Sequence, residues 1–212
     1  MKADIGPRVS GSGLFLHASS VIIHGGAVLF LGHSTSGKST IARRLGEVYP
    51  VLADDSVFAA RGTDGGWRVV DGGFRFGEGD FENWKQRIHR QIAEKSVPLR
   101  ACLRIHKASA VRMESMEPVE LARYLMDAAM EIDLQRKWGK KSGVSNMEPT
   151  AWEEVLRARR QWFSQVADIA RTALGGQFWF SRESDVHEMS SILEKWPKKS
   201  VEMVKLLEND QK

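Results

Sequence analysis

Ala27-Val28-Leu29-Phe30-Leu31 is an unbroken apolar run between glycines, which predicts a strand buried on both faces. Leu14–His17 and Val21–His24 before it read as two short strands, and Gly25-Gly26 as the two-residue turn of a hairpin. Ser39–Val48 has helical spacing through Ile41, Ala42 and Leu45, and Val51–Ala53 reads as a second buried strand ending in Asp54-Asp55. From Arg61 to Gly79 glycines punctuate short segments, Trp67–Val70 and Phe74–Phe76, in the manner of hairpins. Leu99–His106 and Ser109–Met113 look like further strands. Glu117–Gln135 predicts a helix with Leu121, Leu125, Ala128, Ala129 and Ile132 on one face. Thr150-Ala151-Trp152-Glu153 has the capping-box form, opening a helix that Gly175-Gly176 would stop. Gln177–Phe180 reads as a last strand, and Ser184 as the cap of a helix running to about Lys195. Strands come first and helices dominate after residue 115. The pattern predicts an α/β fold: a flexible segment over residues 1–12, then one domain over 13–212.

Composition removes several classes of function. The chain has 212 residues, and one cysteine, Cys102, excludes an intrachain disulfide and a four-cysteine zinc site. Lys and Arg number 31 against 27 Asp and Glu, too mild an excess to imply a nucleic-acid partner. No apolar run approaches the length of a membrane span or a signal sequence, so a cytoplasmic protein with no membrane partner is expected.

The chemistry begins directly after the buried strand. Gly32-His33-Ser34-Thr35-Ser36-Gly37-Lys38-Ser39 matches the phosphate-loop pattern G-x-x-x-x-G-K-[ST] in full, between a strand and a helix, with Thr40 continuing into that helix. Glycines there turn backbone N–H groups inward at the positive end of the helix, making a nest for phosphate oxygens. Lys38 would meet the outer phosphates, and Ser39 would offer a hydroxyl to Mg2+. Asp54 and Asp55 end a strand at the side where α/β sheets bind ligands. A carboxylate there can hold Mg2+ or take a proton from an attacking hydroxyl, and adjacent residues of an extended strand point apart, so the two should differ in role. No [NT]-K-x-D, H-R-D or D-F-G occurs, which argues against an ordinary GTPase or a eukaryotic-type protein kinase.

Leu16-His17-Ala18-Ser19-Ser20-Val21, the phosphate loop and Val51-Leu52-Ala53-Asp54-Asp55, in that order and spacing, resemble the catalytic domain of bacterial HPr kinase/phosphorylase. That family shares its nucleotide-binding core with phosphoenolpyruvate carboxykinase. The resemblance implies a mixed sheet of that kind followed by helices, ATP and Mg2+ as cofactors, and transfer of a phosphoryl group to a serine hydroxyl. It implies Asp54 as the general base with His17 beside it, Asp55 and Ser39 as the metal-holding pair, and a homo-oligomer. Gly72-Gly73-Phe74-Arg75-Phe76-Gly77-Glu78 lies where the family has its second signature without matching it, and the length leaves no room for the family's N-terminal domain. The expected acceptor is therefore a protein or peptide serine other than that of HPr, and whether a phosphorylase activity accompanies the transfer stays open. A small-molecule kinase and a nucleotide-sensing module without catalysis are the alternatives. Arg75, Arg104 and Arg112 are candidates to neutralise transferred phosphate, although surface solvation is the commoner use of such arginines. The basic runs Arg136–Lys141 and Arg157–Arg160 could dock an acidic peptide or simply be solvated.

Overall fold

In a computed structural model, the described residues are 13–73, 95–138 and 149–196, with side chains described outside 133–138 and 149–158. The predicted segment 1–12, the Phe74–Phe76 strand, Arg75, most of the second-signature region, and the side chains of both Arg136–Lys141 and Trp152 lie outside them.

The first strand is longer than its apolar pattern predicts. Leu14–His17 and Val21–His24 belong to one strand, β1 (Gly13–Ile23), because Ala18, Ser19 and Ser20 between them are fully buried strand residues rather than a loop. It turns back into β2 (Gly26–Leu31) through His24 and Gly25, at φ 50° and 74°, so the turn sits one residue earlier than Gly25-Gly26. Two positive φ values in sequence form the tight turn that matches strand twist. All six residues of β2 are buried, as its apolar run predicts.

Helix α1 (Lys38–Leu45) follows, then β3 (Val51–Ala53), β4 (Ser56–Arg61) and β5 (Trp67–Asp71). The expectation that β3 is buried fails: Val51 is exposed and Leu52 half-buried, since β3 is a three-residue strand paired only to β1. Strand β6 (Val97–Lys107) contains the predicted Leu99–His106, whereas β7 (Arg112–Ser115) starts later than Ser109. Helices α2 (Pro118–Trp138) and α3 (Pro149–Thr172) match the two long helical patterns. Gly175 and Gly176 do not stop α3 but lie inside β8 (Leu174–Phe180). The last described helix, α4, covers 186–196; Asp185 rather than Ser184 caps it, accepting from the N–H groups of His187 and Glu188.

Among the described residues, eight strands form a mixed sheet in the order β2-β1-β4-β5-β6-β8-β7, with β3 on β1. Strand β2 also pairs with β6, so β1, β4, β5, β6 and β2 close on themselves. Strands β2, β6 and β8 run parallel, which brings their carboxyl ends to one edge.

Alternation on β2 feeds two cores. Ala27, Leu29 and Leu31 join Leu121, Leu125 and Ala128 of α2 and Ile169 of α3. Val28 and Phe30 join Ile41 and Leu45 of α1 and Met189 and Leu193 of α4. Each fully buried Leu or Phe contributes about 1.5–3 kcal/mol, so β2 is anchored from both sides. Asp168 of α3 ties that helix to the strands by accepting from Arg61 and, at 2.9 Å, from the Trp67 indole N–H. Among the described residues no helix is long and apolar enough to cross a membrane.

Candidate active site

The Gly32–Ser39 loop lies between β2 and α1, the strand–loop–helix setting that its pattern predicts. Gly37 occupies the N-cap of α1 at φ 107°, a left-handed conformation that costs glycine little and other residues more. No side chain caps the helix and its first turn carries no acid, so the leading amides of α1 are left for an anion. At Gly32 a Cβ would come within 2.4 Å of Ser36 Oγ, so only glycine lets the loop close here. Ser36 donates its N–H to the His33 carbonyl at 3.1 Å, while its buried Oγ has no hydrogen-bond partner. Lys38 is buried, and Nζ donates to the carbonyls of Gly32 at 2.6 Å and His33 at 3.1 Å. Its ammonium therefore points back across the loop. His33, Ser34, Thr35 and Ser39 are exposed, and Thr40 is half-buried on α1. An unpartnered hydroxyl, uncapped amides and an inward lysine together fit a phosphate chain.

Three elements meet beside this loop. His17 on β1 is buried; its Nε2 lies 3.2 Å from Asp55 Oδ1 and its Nδ1 lies 3.1 Å from Glu131 Oε2 on α2. The histidine thus meets Asp55, whereas the resemblance led one to expect Asp54 beside it. Register explains the change. His17 is opposite Ser56 on β4, which brings the preceding residue, Asp55, to the ring. Asp54 is exposed, and its carbonyl accepts from Ser19 Oγ at 2.6 Å, which pins the bend between β3 and β4. Asp55 remains 41% exposed, so a substrate can reach it.

The cluster is electrostatically mixed. Burial, then the charge of Lys38, push the His17 pKa below its ordinary value, with Glu131 and Asp55 opposing. Burial also lowers the Lys38 pKa; Glu131 and Asp55 favour its ammonium and Arg104 disfavours it. Glu131 was not singled out by sequence, because the carboxylate lies on the flank of the apolar stripe of α2 and its partner is on β1. The only local signal is an acid directly before buried Ile132. Arg112 lies 4.1 Å from the Trp179 ring centroid, and Arg104 4.6 Å from that of Tyr124. Arg104 is half-buried, whereas Arg112 remains largely exposed.

The family described as SynChlorMet cassette protein ScmC matches residues 8–186. The chain belongs to the ScmC family. The family shown is thus ScmC rather than HPr kinase/phosphorylase itself. Among solved structures, this ScmC member is similar to that of the Hpr(Ser) kinase/phosphatase from Coxiella burnetii, at 9% identity and a TM-score of 0.35. That likeness covers 88% of this chain and 97% of the other. Among curated proteins none matches the ScmC chain.

Proposed function

We propose that the chain is an ATP- and Mg2+-dependent phosphotransferase that moves a γ-phosphoryl group onto a serine hydroxyl of a protein or peptide. The observation that carries this reading is the meeting of two half-sites: a strand–loop–helix phosphate cradle around Lys38, and a histidine–carboxylate pair beside it. A nucleotide sensor needs the first and has no use for the second.

Lys38 and the leading amides of α1 hold the phosphate chain and draw charge from its oxygens. Contact with His17 favours Asp55 over Asp54 as the base, since the ring fixes the carboxylate while leaving it accessible. As the serine oxygen bonds to the γ-phosphorus, its proton passes to Asp55 and the bond to the β-bridging oxygen breaks, releasing ADP. Asp54, exposed at the bend, and Ser39 are the residues that would hold Mg2+. Among the described residues no three His, Cys, Asp or Glu side chains gather into a metal cage. When bound, Mg2+ supplies charge neutralisation at the phosphate oxygens.

The test is calorimetry of Mg-ATP binding followed by labelled transfer onto serine peptides, with Lys38→Met as the control. Lys38→Met is expected to abolish binding. Nucleotide binding with transfer only to small metabolites would favour a small-molecule kinase, and binding with no turnover on any acceptor a sensor. No nucleotide binding by the wild-type chain would refute all three.

A further inference from the structure

Arg104 lies on β6 opposite Leu31, one residue before the phosphate loop. The next residue, Ile105, lies against Gly32, where a Cβ would come 3.3 Å from its Cγ1. Arg104 itself turns to the other face of the sheet, the face covered by α2. There its guanidinium carbon stacks 4.6 Å from the Tyr124 ring centroid, and the Tyr124 hydroxyl donates to Glu120 at 3.3 Å. Its Nε is buried and has no hydrogen-bond partner. Among the residues whose side chains are described, no carboxylate forms an ion pair with it.

A guanidinium carries five N–H donors and does not lose its proton in a protein. Holding one half-buried with an unmet donor is costly unless an acceptor arrives. The cost is compounded by the neighbouring Lys38, whose ammonium Arg104 disfavours. Asp55 and Glu131, the acids nearest Lys38, already meet each other through His17. Tyr124 and Glu131 are seven residues apart on α2, or about 10 Å along its axis. Arg104 and the His17 cluster therefore stand at the two ends of one short stretch of helix, and the charge of Lys38 is felt by both.

We propose that Arg104 and Lys38 form a two-cation subsite for the terminal phosphate of a nucleoside triphosphate, with Arg104 distinguishing a triphosphate from a diphosphate. This rests on the phosphotransferase reading above. The loop amides take the phosphates nearest α1, and the guanidinium, locked over Tyr124, grips the one to be transferred. Stacking pre-organises its donors, so little side-chain freedom is lost on binding. Charge-assisted bonds from such a fork are among the stronger polar contacts.

Calorimetry with Mg-ATP and Mg-ADP on the wild type and Arg104→Met tests the subsite. Methionine keeps an apolar stem over Tyr124 and removes the charge. The expected result is an ATP affinity lower by about ten- to a hundredfold, with ADP affinity changed by less than about twofold. Arg104→Lys, which keeps charge but loses the planar fork, should fall between them and serves if the methionine variant does not fold. Equal loss of ATP and ADP affinity, or unchanged ATP affinity, overturns the subsite and leaves the phosphotransferase reading standing. Absence of nucleotide binding by the wild type overturns both.

Discussion

Asp55→Asn removes a proton acceptor while changing the site's shape by almost nothing. Asp55 Oδ1 is 3.2 Å from His17 Nε2, and asparagine can keep a contact there with either amide atom. What it cannot keep is the ability to receive the hydroxyl proton. A positioned general base contributes roughly 10²–10⁴ in rate, or about 2.7–5.5 kcal/mol of barrier. Phosphate binding should be spared, because deleting a negative charge near Lys38 removes repulsion on the incoming phosphates. Mg-ATP affinity is therefore expected to be unchanged or slightly tighter. Single-turnover release of phosphate with water as acceptor reads the chemical step without requiring the true acceptor. Asp54→Asn should behave differently, raising the Mg2+ concentration needed for half-maximal rate and being rescued by excess Mg2+. If Asp55→Asn keeps its rate within about tenfold while Asp54→Asn loses about a hundredfold at saturating Mg2+, the inference from His17 is wrong and the base is Asp54.

Other consequences are open to measurement. Asp168→Ala leaves the buried Trp67 N–H without its acceptor and Arg61 without its partner, and should destabilise by about 2–3 kcal/mol in urea denaturation; a change below about 0.5 kcal/mol would show that water replaces the contact. Cys102 is buried and burial pushes its thiol up to about 12, so iodoacetamide should leave it unmodified in the native protein and alkylate it in urea. Burial first, then the charges of Arg104 and Arg112, hold the His106 pKa below its ordinary value, against the Gln177 hydrogen bond and Glu120. The folded state then binds fewer protons than the unfolded chain. His106 thus contributes stability above the ordinary histidine range that is lost as pH falls through its folded value. Urea midpoints should drop between about pH 7.5 and about pH 5, and less steeply in His106→Phe; identical slopes would remove His106 from the account.

The parts of the site that sequence reveals are those whose chemistry is local. The phosphate loop is legible because glycines, lysine and serine must stand at fixed steps between a strand and a helix, and Gly37 at φ 107° shows why one of those steps admits no ordinary residue. The long helices are legible for the same reason, since Leu121, Leu125 and Ile132 repeat within a few turns. What depends on distant pairing is not visible. Ala18, Ser19 and Ser20 lack the bulk that marks a strand, yet they are buried strand residues paired to β2, with Ser20 also paired to β3. Val51 looks like core and is exposed because β3 is short. Which of the two aspartates meets His17 depends on one step of strand register. Glu131 reaches the site only because α2 packs across β1.

His17 is the last β1 residue paired with β4, and Ser20 the first paired with β3, so the two aspartates occupy a crease where the sheet folds from one surface to another. A crease is ordinarily a place that flexes. Here five strands close around it, and opening the angle would mean tearing ladder hydrogen bonds on several strands at once. The acids and the histidine stand at a braced vertex, so adjustment to a docking substrate must come from the rim, where side chains and connecting segments can give way without disturbing the angle that aligns them.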